Sequence, residues 1–288
     1  MSPPANRFSR IAIAGFGLIG GSWALALKRR GFPGRIVVSD RAEVARRALD
    51  LGAADEAQSD PAAAARGADL VILAAPVGTI LEQLPVVRSA APNALVTDTG
   101  GTKRAILNRA RENFGEGLLF LGGHPLAGKE HSGIENADPD LFEKSRYVLT
   151  PLRPEDLNDP RAQAFQALLR SVGARPVVIG AEEHDRALAV LSHLPQLLST
   201  ALAAVAGEED PALPLELAAG GFRDMTRLAD SAYAIWRDVG MTNADNLHAA
   251  LDALISRLEN MKEHLNDEQL VRDFDQAHRL RERWRKLS

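Results

Sequence analysis

Two glycine-rich segments hold the residues of this sequence that could do chemistry. The first, "GFGLIG" at 15–20, follows an apolar run and opens a segment with helical periodicity. In a strand–turn–helix context such glycines allow a tight turn, close approach of a pyrophosphate to the backbone, and packing of the helix on the strand. The helix N-terminus also presents free N–H groups to phosphate oxygens. The segment predicts a dinucleotide site at Gly15, Gly17, Leu18, Ile19 and Gly20.

The acidic residue that ends the next predicted strand bears on the choice of cofactor. Asp40 lies 20 residues beyond Gly20, where a carboxylate accepts hydrogen bonds from the adenosine ribose hydroxyls and repels a 2′-phosphate. Arg41 follows directly and could neutralise such a phosphate instead. We therefore predict that both residues contact the cofactor, which is NAD, with NADP as the alternative.

Two further loops are predicted to border the nicotinamide. "AAPV" at 74–77 and "DTGG" at 98–101 each close a predicted strand, and ligands of this type of sheet bind beyond the carboxyl ends of the strands. We assign three of their residues to the cofactor site, namely Ala75, Pro76 and Asp98.

The second glycine-rich segment, "GGHPLAGKEHSGIE" at 122–135, contains two histidines. Oxidation of a hydroxyl carbon by a nicotinamide needs a group that takes the hydroxyl proton; without cysteine the candidates are histidine, lysine, tyrosine or a carboxylate. His124 follows a predicted strand at 118–123, among glycines that let backbone and substrate approach. We predict that His124 is the base and that His131 lies on the loop surface. Four histidines in predicted helices are interpreted as structural: His184, His248, His264 and His278.

The elements that must position these residues alternate between strand and helix over the first 180 residues. Strand-like runs, several of them continuously apolar, lie at 10–16, 35–40, 69–76, 94–100, 118–123, 146–151 and 175–180. Helical segments lie at 18–30, 42–51, 77–90, 102–113 and 160–172. This alternation predicts an α/β fold with a Rossmann-type, doubly wound parallel sheet.

The strand pattern stops near residue 180, and the remaining chain reads as helical. The segment 182–206 is apolar on most faces, with a stripe formed by Leu188, Leu191, Leu198, Leu202 and Val205. Such a helix must be covered, either inside its own domain or by another subunit. Further helices are predicted at 245–262 and 268–287. We expect two domains: a dinucleotide-binding domain at 1–180 and an all-helical domain at 181–288.

Composition narrows the class of protein. The 288 residues carry a net charge of −4 and no cysteine, which gives no reason to expect nucleic acid as a partner and excludes disulfides and thiolate chemistry. We predict no metal site. No run reaches the roughly 18 apolar residues of a membrane span, and the first ten residues lack an apolar segment. We expect no membrane partner and a cytoplasmic location.

Five motifs together resemble one enzyme family. They are "GFGLIGGS", "DTGGTK", "GGHPLAGKEHSGIE", "SHLPQ" and "GFRDMTRLADSAYAIWRDV". In this order, over roughly residues 8–262, they resemble the prephenate and arogenate (cyclohexadienyl) dehydrogenases, oxidoreductases of tyrosine biosynthesis. The resemblance implies a helical dimerisation domain and a homodimer, which would explain the apolar segment 182–206. It also implies oxidative decarboxylation of arogenate or prephenate with NAD(P), giving tyrosine or 4-hydroxyphenylpyruvate and CO₂.

The resemblance also implies roles for individual residues. His124 matches the family's catalytic histidine, and Arg227 in "DMTRLA" matches an arginine that binds a substrate carboxylate. Trp236 matches a tryptophan near the substrate side chain. His193 and Gln196 lie in a segment whose family form is often SHLPH. Two acidic residues match positions thought to pair near the entrance, Glu130 and Asp224.

The sequence departs from the family pattern at two positions. Gly101 stands where the family commonly has a serine that assists the catalytic histidine, so Thr102, a water or the cofactor would have to supply that hydrogen bond. Gln196 stands where a second histidine is frequent. A neutral amide weakens attraction to the extra charge of the pyruvyl side chain, which favours arogenate or the use of both substrates.

Two alternatives fit parts of the sequence. A β-hydroxyacid dehydrogenase of the 6-phosphogluconate type shares the dinucleotide domain followed by helices, but it uses a lysine on the first helix of the second domain, and 182–206 contains none. A non-catalytic NAD-binding regulatory protein is favoured only by Gly101.

Overall fold

An eight-stranded sheet forms the centre of the fold. The computed structural model describes residues 7–115, 119–129, 131–208 and 215–287. The strands in chain order are β1 Arg10–Ala14, β2 Arg35–Ser39, β3 Glu56–Gln58, β4 Leu70–Leu73, β5 Leu95–Asp98, β6 Leu119–Pro125, β7 Arg146–Pro151 and β8 Arg175–Val178. They lie in the order β3-β2-β1-β4-β5-β6-β7-β8. The chain winds outward in both directions from β1, so the switch point lies between β1 and β4.

The predicted Rossmann-type fold is confirmed, with two differences in the sheet. β7 pairs antiparallel with β6 and parallel with β8, so the sheet is not parallel throughout. Among the described residues between β6 and β7, the only helical element is a 3₁₀ turn, Ile134–Asn136. Without a crossover helix the chain returns antiparallel. β3 escaped prediction because its three residues, "EAQ", carry no apolar pattern.

Helices cover both faces of the sheet. They are α1 Leu18–Arg29, α2 Ala42–Asp50, α3 Pro61–Ala65, α4 Val77–Ala90, α5 Arg104–Asn113 and α6 Pro160–Ser171. Two clusters of buried apolar side chains, one on each face, hold helices and sheet together. The five helices predicted for this part are present, and the short α3 was not predicted.

The segment predicted as one apolar helix is interrupted by a π-helical turn. It consists of α7 Ala181–Leu188, the turn Ala189–His193 and α8 Leu194–Glu208. Its buried residues are mostly polar: His184, Asp185, Ala189, His193, Gln196 and Ser199. By contrast, Leu191 is 76% exposed and Val205 is 56% exposed. The described part of the chain therefore leaves this apolar face only partly covered. Coverage by a second subunit, the other predicted arrangement, stays a prediction.

One described helix meets a length and mean-hydropathy criterion for a membrane span, although it contains no uninterrupted run of about 18 apolar residues. Ala181–Glu208 is 28 residues long, with a mean hydropathy of 1.5 in its most apolar window, which is 22% buried. It is long and apolar enough to cross a membrane by length and composition alone. Its buried histidines and carboxylate line one face, which composition does not reveal.

Four helices complete the described chain: α9 Gly220–Thr226, α10 Tyr233–Thr242, α11 Ala244–Glu263 and α12 Glu268–Arg285. By internal contacts the chain forms two compact units, Met1–Ala244 and Asp245–Ser288. The first unit thus includes α7 to α10 as well as the sheet. The predicted domain boundary at residue 180 stays a prediction. In the second unit many apolar side chains are exposed, among them Phe274 and Leu280.

Candidate functional site

The glycine-rich loop after β1 has the geometry of a phosphate-binding turn. Gly15 has a φ of +91°, and a Cβ there would lie 2.5 Å from the Ala74 carbonyl oxygen, so only glycine fits. A Cβ on Gly20 would collide with the Gly15 carbonyl, which explains the close packing of α1 on β1. A Cβ on Gly17 would meet nothing within 4 Å. The space beside Gly17, at the N-terminus of α1, suits an anionic group.

A cleft of about 980 Å³ opens beside this loop, at the switch point of the sheet. Six residues of the predicted cofactor site line it: Gly15, Gly17, Asp40, Arg41, Ala75 and Pro76. The remaining predicted residues of the first turn, Leu18, Ile19 and Gly20, lie behind it in α1. Other lining residues were not predicted, including Phe16, Arg46, Arg47, Ser132 and Glu135. The second glycine-rich segment therefore borders this cleft through its last residues.

Asp40 is oriented by the backbone around it. Its Oδ2 accepts a hydrogen bond of 2.6 Å from the Phe16 N–H, and its Oδ1 accepts one of 2.7 Å from the Arg41 N–H. Each carboxylate oxygen retains a further lone pair that can accept from a ribose hydroxyl. The Arg41 side chain is 89% exposed and its Nε lies 3.9 Å from Asp40 Oδ1. The residues present therefore fit a dinucleotide, with a carboxylate for ribose hydroxyls and an exposed cation beside it.

The prediction that Asp98 contacts the cofactor is corrected, since Asp98 is not among the residues that line the cleft. The side chain is fully buried, and it accepts hydrogen bonds from the Gly100 N–H at 2.8 Å and the Gly123 N–H at 3.1 Å. It also forms a close ion pair with the buried Lys103, whose Nζ donates to the Gly123 carbonyl at 2.7 Å. Asp98 and Lys103 thus fix the backbone immediately before His124.

His124 lies within β6, not after it as the sequence indicated. β6 extends to Pro125, and His124 pairs with Val148 of the antiparallel strand β7. A Cβ on the preceding Gly123 would lie 2.5 Å from the Asp98 carbonyl oxygen, so glycine is required for the close approach of these strands. The half-buried imidazole is therefore held by paired backbone.

A chain of side chains leads from His124 into the protein. His124 Nδ1 lies 2.9 Å from His184 Nε2, and His184 Nδ1 lies 2.7 Å from Asp185 Oδ1. Asp185 also accepts hydrogen bonds from the backbone N–H groups of Lys103 at 2.7 Å and Arg104 at 2.9 Å. The carboxylate assigns a proton to His184 Nδ1, so His184 Nε2 accepts from His124 Nδ1–H. The lone pair of His124 is then on Nε2.

The electrostatic surroundings keep His124 neutral. Burial lowers the pKa of His124 well below its usual value, and positive charge on His184, Lys103 or His193 would lower it further. For Asp185, burial raises the pKa, but the hydrogen bonds from His184 and the two backbone N–H groups outweigh it and hold the pKa below the usual range. At neutral pH the site therefore combines an ionised carboxylate with an imidazole that can accept a proton.

His193 extends the cluster towards α10. It is 3% exposed, and burial lowers the pKa of His193 to about 4. Its Nδ1 lies 3.3 Å from Asn243 Nδ2, which also donates to the Asp185 carbonyl at 2.8 Å. The Trp236 ring lies edge-on to the imidazole, with centroids 5.9 Å apart. His193 and Trp236, both predicted substrate residues, are thus in contact.

Gln196 connects this cluster to the segment that carries Arg227. Its Nε2 donates to the Leu228 carbonyl at 2.7 Å and to Thr200 Oγ1 at 3.3 Å. Gln196 is 4% exposed, and its Oε1 has no hydrogen-bond donor among the described residues. Arg227 begins a 3₁₀ turn, Arg227–Asp230, and is exposed.

The departure at Gly101, in the loop after β5, is explained by the geometry around it and around Thr102. Thr102 is fully buried and its Oγ1 is bonded to Thr242 Oγ1 at 2.7 Å, so the hydroxyl is already used. A Cβ on Gly101 would meet only Val239, at 3.9 Å, so the position has room for a serine. In this chain His184 provides the hydrogen bond to His124.

The acidic pair is not brought together in the described part of the chain. Asp224 is exposed on α9, with its Oδ1 3.9 Å from the Nε of the neighbouring Arg223. Glu130 lies outside the described residues, and so does the predicted pairing. His131 is exposed, as predicted.

Three residues of the cluster were missed or interpreted differently. His184 was interpreted as structural, and Asp185 and Asn243 were not singled out. The adjacent His184-Asp185 pair, directly after the last strand, was the available signal, since a histidine beside a carboxylate is a recurring arrangement for proton transfer. Nothing in the sequence marks its contact with His124, 60 positions away.

Comparison with known proteins gives two family matches that together span most of the chain. Residues 23–178 match the family model described as prephenate dehydrogenase, nucleotide-binding domain. Residues 180–277 match the one described as prephenate dehydrogenase, dimerization domain.

Individual relatives agree with these matches. A prephenate dehydrogenase of Lactococcus lactis is 35% identical over 263 residues, which covers 90% of this chain and 70% of that protein. A crystal structure of prephenate dehydrogenase from A. aeolicus in complex with hydroxyphenyl propionate and NAD⁺ has a TM-score of 0.86 at 30% identity, covering 96% of this chain and 98% of that one. Synechocystis arogenate dehydrogenase has a TM-score of 0.78 at 29% identity, covering 96% and 99%.

Proposed function

The chain belongs to the prephenate dehydrogenase family, and from this premise we propose that it oxidises and decarboxylates a cyclohexadienyl substrate with His124 as the base. It is an oxidoreductase of tyrosine biosynthesis with a nucleotide-binding domain. Neither the 6-phosphogluconate-type dehydrogenase nor the non-catalytic regulator is favoured by this membership. The observation that carries the proposal is the chain of hydrogen bonds that leaves the lone pair of His124 on Nε2.

The protein's own groups supply base, orientation and binding. Nε2 of His124 takes the proton of the ring hydroxyl, and His184 with Asp185 keeps the imidazole in the tautomer that can do so. Arg227 offers a planar pair of donors to a substrate carboxylate. As the hydroxyl carbon becomes a carbonyl, the ring carboxylate leaves as CO₂ and the electrons of the broken bond make the ring aromatic. The phenolate oxygen then takes the proton back from His124. Aromatisation makes the step effectively irreversible. A positioned base is therefore the main chemical requirement.

The cofactor proposed for the cleft is NAD, which supplies the hydride acceptor. Gly15, Gly17 and the N-terminus of α1 would hold its phosphates, and Asp40 would bind the adenosine ribose hydroxyls. Arg41 is placed to meet a 2′-phosphate, so NADP remains a possible second cofactor.

The first experiment replaces the base. We expect His124→Asn to lower kcat at least ~1000-fold while NAD binding stays within about twofold, because the variant loses the proton acceptor and keeps the cleft. Formation of NADH, followed by absorbance, measures turnover, and fluorescence titration measures NAD binding. The matched control is His131→Asn, an exposed histidine of the same segment. Turnover of His124→Asn at the wild-type rate would remove His124 as the base.

The wild-type pH profile tests the same assignment. Because the pKa of His124 is lowered well below 6.5, the base is already unprotonated at pH 6.5 and above, and kcat/KM should stay flat from pH 7 to 9. A rise in kcat/KM centred above pH 7 would contradict an imidazole held neutral by its surroundings.

The preferred substrate is proposed to be arogenate. The Nε2 of Gln196 is bound to the Leu228 carbonyl, which turns the unpartnered Oε1 away from it. A buried acceptor without a donor costs roughly 1–3 kcal/mol. The ammonium group on the alanyl side chain of arogenate has N–H donors to offer, whereas the pyruvyl side chain of prephenate has only acceptors.

Substrate preference is measured as the ratio of kcat/KM for arogenate and prephenate, with NAD and with NADP. We expect a ratio of at least ~10 for the wild type, because one hydrogen bond to a charged group is worth about 1.5–3 kcal/mol. Gln196→His should lower the ratio at least ~10-fold, since it replaces the acceptor by a possible cation. Thr200→Ser, which keeps the hydroxyl that Gln196 Nε2 contacts, is the control and should leave the ratio unchanged. A ratio unaffected by Gln196→His would exclude a role for Oε1.

The assembly is proposed to be a homodimer formed through the helical segment, supported by the matched dimerization domain and the exposed apolar face of α7 and α8. A cytoplasmic location also remains a proposal, supported by the biosynthetic role of the family.

A further inference from the structure

Helix α10 is tied to the cofactor side of the fold at its centre and to the catalytic cluster at its end. At its centre, Asp238 Oδ2 accepts a hydrogen bond of 2.9 Å from the backbone N–H of Gly78. At its C-terminal end, Thr242 bonds to Thr102, and Asn243 donates to the Asp185 carbonyl. The tied segments follow β4, β5 and β8, so one helix joins the chain at three separate places.

The bond to Gly78 fulfils a need that α4 does not meet itself. α4 has no side-chain cap and no acidic residue in its first turn. A helix N-terminus has unpaired N–H groups and a positive dipole end, which a carboxylate stabilises. Asp238 is only 5% exposed, so its carboxylate is held in this position. The cap of α4 therefore comes from a residue 160 positions later in the chain.

The position of this cap matters for the reaction. α4 begins directly after Ala75 and Pro76, which line the cofactor cleft. Trp236, two residues before Asp238, packs against His193. The Asp238 carboxylate thus joins the loop that borders the cofactor to the helix that presents a proposed substrate residue.

We infer that Asp238 is a positioning residue that sets the distance between the cofactor loop and the substrate side of the site. It does not touch the reacting atoms. It keeps α10 against the start of α4. Cofactor binding in the cleft and substrate binding beside Trp236 therefore both depend on the hydrogen bond between Asp238 and Gly78. The kinetic part of this inference rests on the proposed function.

The test compares three variants of the full chain. Asp238→Ala removes the cap, Asp238→Asn keeps an acceptor oxygen for the Gly78 N–H, and Arg237→Ala removes only the exposed ion pair of Asp238. We expect Asp238→Ala to raise the KM values for NAD and for the cyclohexadienyl substrate at least ~5-fold, with kcat within about twofold. Asp238→Asn and Arg237→Ala should remain within about twofold of the wild type in all three constants.

A merely structural role would lower the unfolding temperature and the active fraction without moving either KM. The inference is overturned by wild-type KM values in Asp238→Ala, by an Asp238→Asn variant as impaired as Asp238→Ala, or by an Arg237→Ala variant that reproduces the defect.

Hydrogen exchange provides a readout that needs neither turnover nor a stable alanine variant. The Gly78 amide should exchange at least ~10-fold more slowly than an unbonded amide in the wild type and in Asp238→Asn. Exchange at the unprotected rate in the wild type would refute the contact. If neither substrate turns over while Gly78 is protected and NAD binds more weakly to Asp238→Ala, the proposed function fails and the positioning role stands.

Discussion

The protonation of the site is decided by a residue that does not reach the substrate. Asp185 accepts from His184, and the two imidazoles then have only one arrangement of protons that satisfies both hydrogen bonds. Reversing the first bond reverses the second. The reactivity of His124 is therefore set two side chains away, by a carboxylate that backbone N–H groups keep ionised.

Asp185→Asn should weaken this arrangement. Its amide nitrogen must face the backbone N–H of Lys103 or of Arg104, so one of these donors loses its acceptor. The negative charge that favours a proton on His184 Nδ1 is also lost, which weakens the preference for a lone pair on His124 Nε2. We expect kcat to fall at least ~100-fold while NAD affinity changes by less than threefold. Asp156→Asn, at another buried carboxylate remote from the cluster, is the control. Turnover within threefold of the wild type would show that the tautomer is fixed by other groups.

Acid should destabilise the fold through His193. Its pKa is about 4 in the folded protein and about 6.5 when unfolded, so between these values the unfolded chain binds more protons. Stability is fully present above pH 6.5 and is lost as the pH falls towards 4, by about 2 kcal/mol between pH 7.5 and 4.5.

Urea unfolding at the two pH values measures this loss. His193→Gln should lose less stability than the wild type over the same interval, by about that amount, whereas His248→Gln, at an exposed position, should behave like the wild type. Equal losses in the wild type and His193→Gln would mean that His193 does not contribute.

At this scale the sequence singled out His124, the proposed base, but not the side chains that surround it. The glycines around His124 and its place at the end of a strand are local signals. The partners of His124 are not local, because His184 comes from another element. Asp98 shows the opposite failure: its place in the loop was predicted, but the direction of its carboxylate depends on Lys103 and Gly123.

Strand β6, which carries His124, is held in position by neighbouring elements on both sides. β6 pairs with β5 only as far as Leu121, and its last residues pair with β7. Beyond Leu121, the Asp98 carboxylate and the Lys103 ammonium take over the hydrogen-bonding positions of Gly123 that β5 leaves empty. His124 is thus held on both sides although only one side has a partner strand.

The sequence did not predict the direction of β7 or which way the apolar stripe of α7 and α8 faces, and the reason is the same for both. The apolar run of β7 is the same whether the strand is parallel or antiparallel, and only the missing crossover helix decides. Similarly, the stripe on α7 and α8 was identified from its period, but the period does not say whether the stripe faces the chain's own core or another molecule.

The whole molecule presents a helix whose polar face is inside and whose apolar face is outside. His184, His193 and Gln196 are buried, whereas Leu191 is 76% exposed. The inner face is occupied by the site, so the apolar side chains are left for another surface. In a two-fold dimer the same face of each subunit takes part in the interface, so one such residue is buried in both subunits.

Leu191→Glu should therefore dissociate the proposed dimer. An unpaired carboxylate buried in an apolar interface costs several kcal/mol, which raises the dissociation constant at least ~100-fold. Light scattering coupled to gel filtration measures the mass. The control is Val86→Glu, which changes an apolar side chain on α4 that is 41% exposed. A Leu191→Glu variant that stays dimeric at the wild-type dissociation constant would exclude this face from the interface.

Asp98 and Lys103 hydrogen-bond to the backbone of Gly123 and so fix His124 within the sheet. The proposed substrate-binding residues lie on helices that could be exchanged. The proposed proton acceptor, His124, belongs to the sheet. The proposed substrate contacts all come after β8, at His193, Gln196, Arg227 and Trp236. A chimera that keeps residues 1–180 and takes its later helices from a relative of different preference should inherit the relative's selectivity without relocating the base. Selectivity and the location of the base are then free to evolve on separate parts of one polypeptide, whereas the tautomer of the base also requires His184 and Asp185, which belong to the exchanged part.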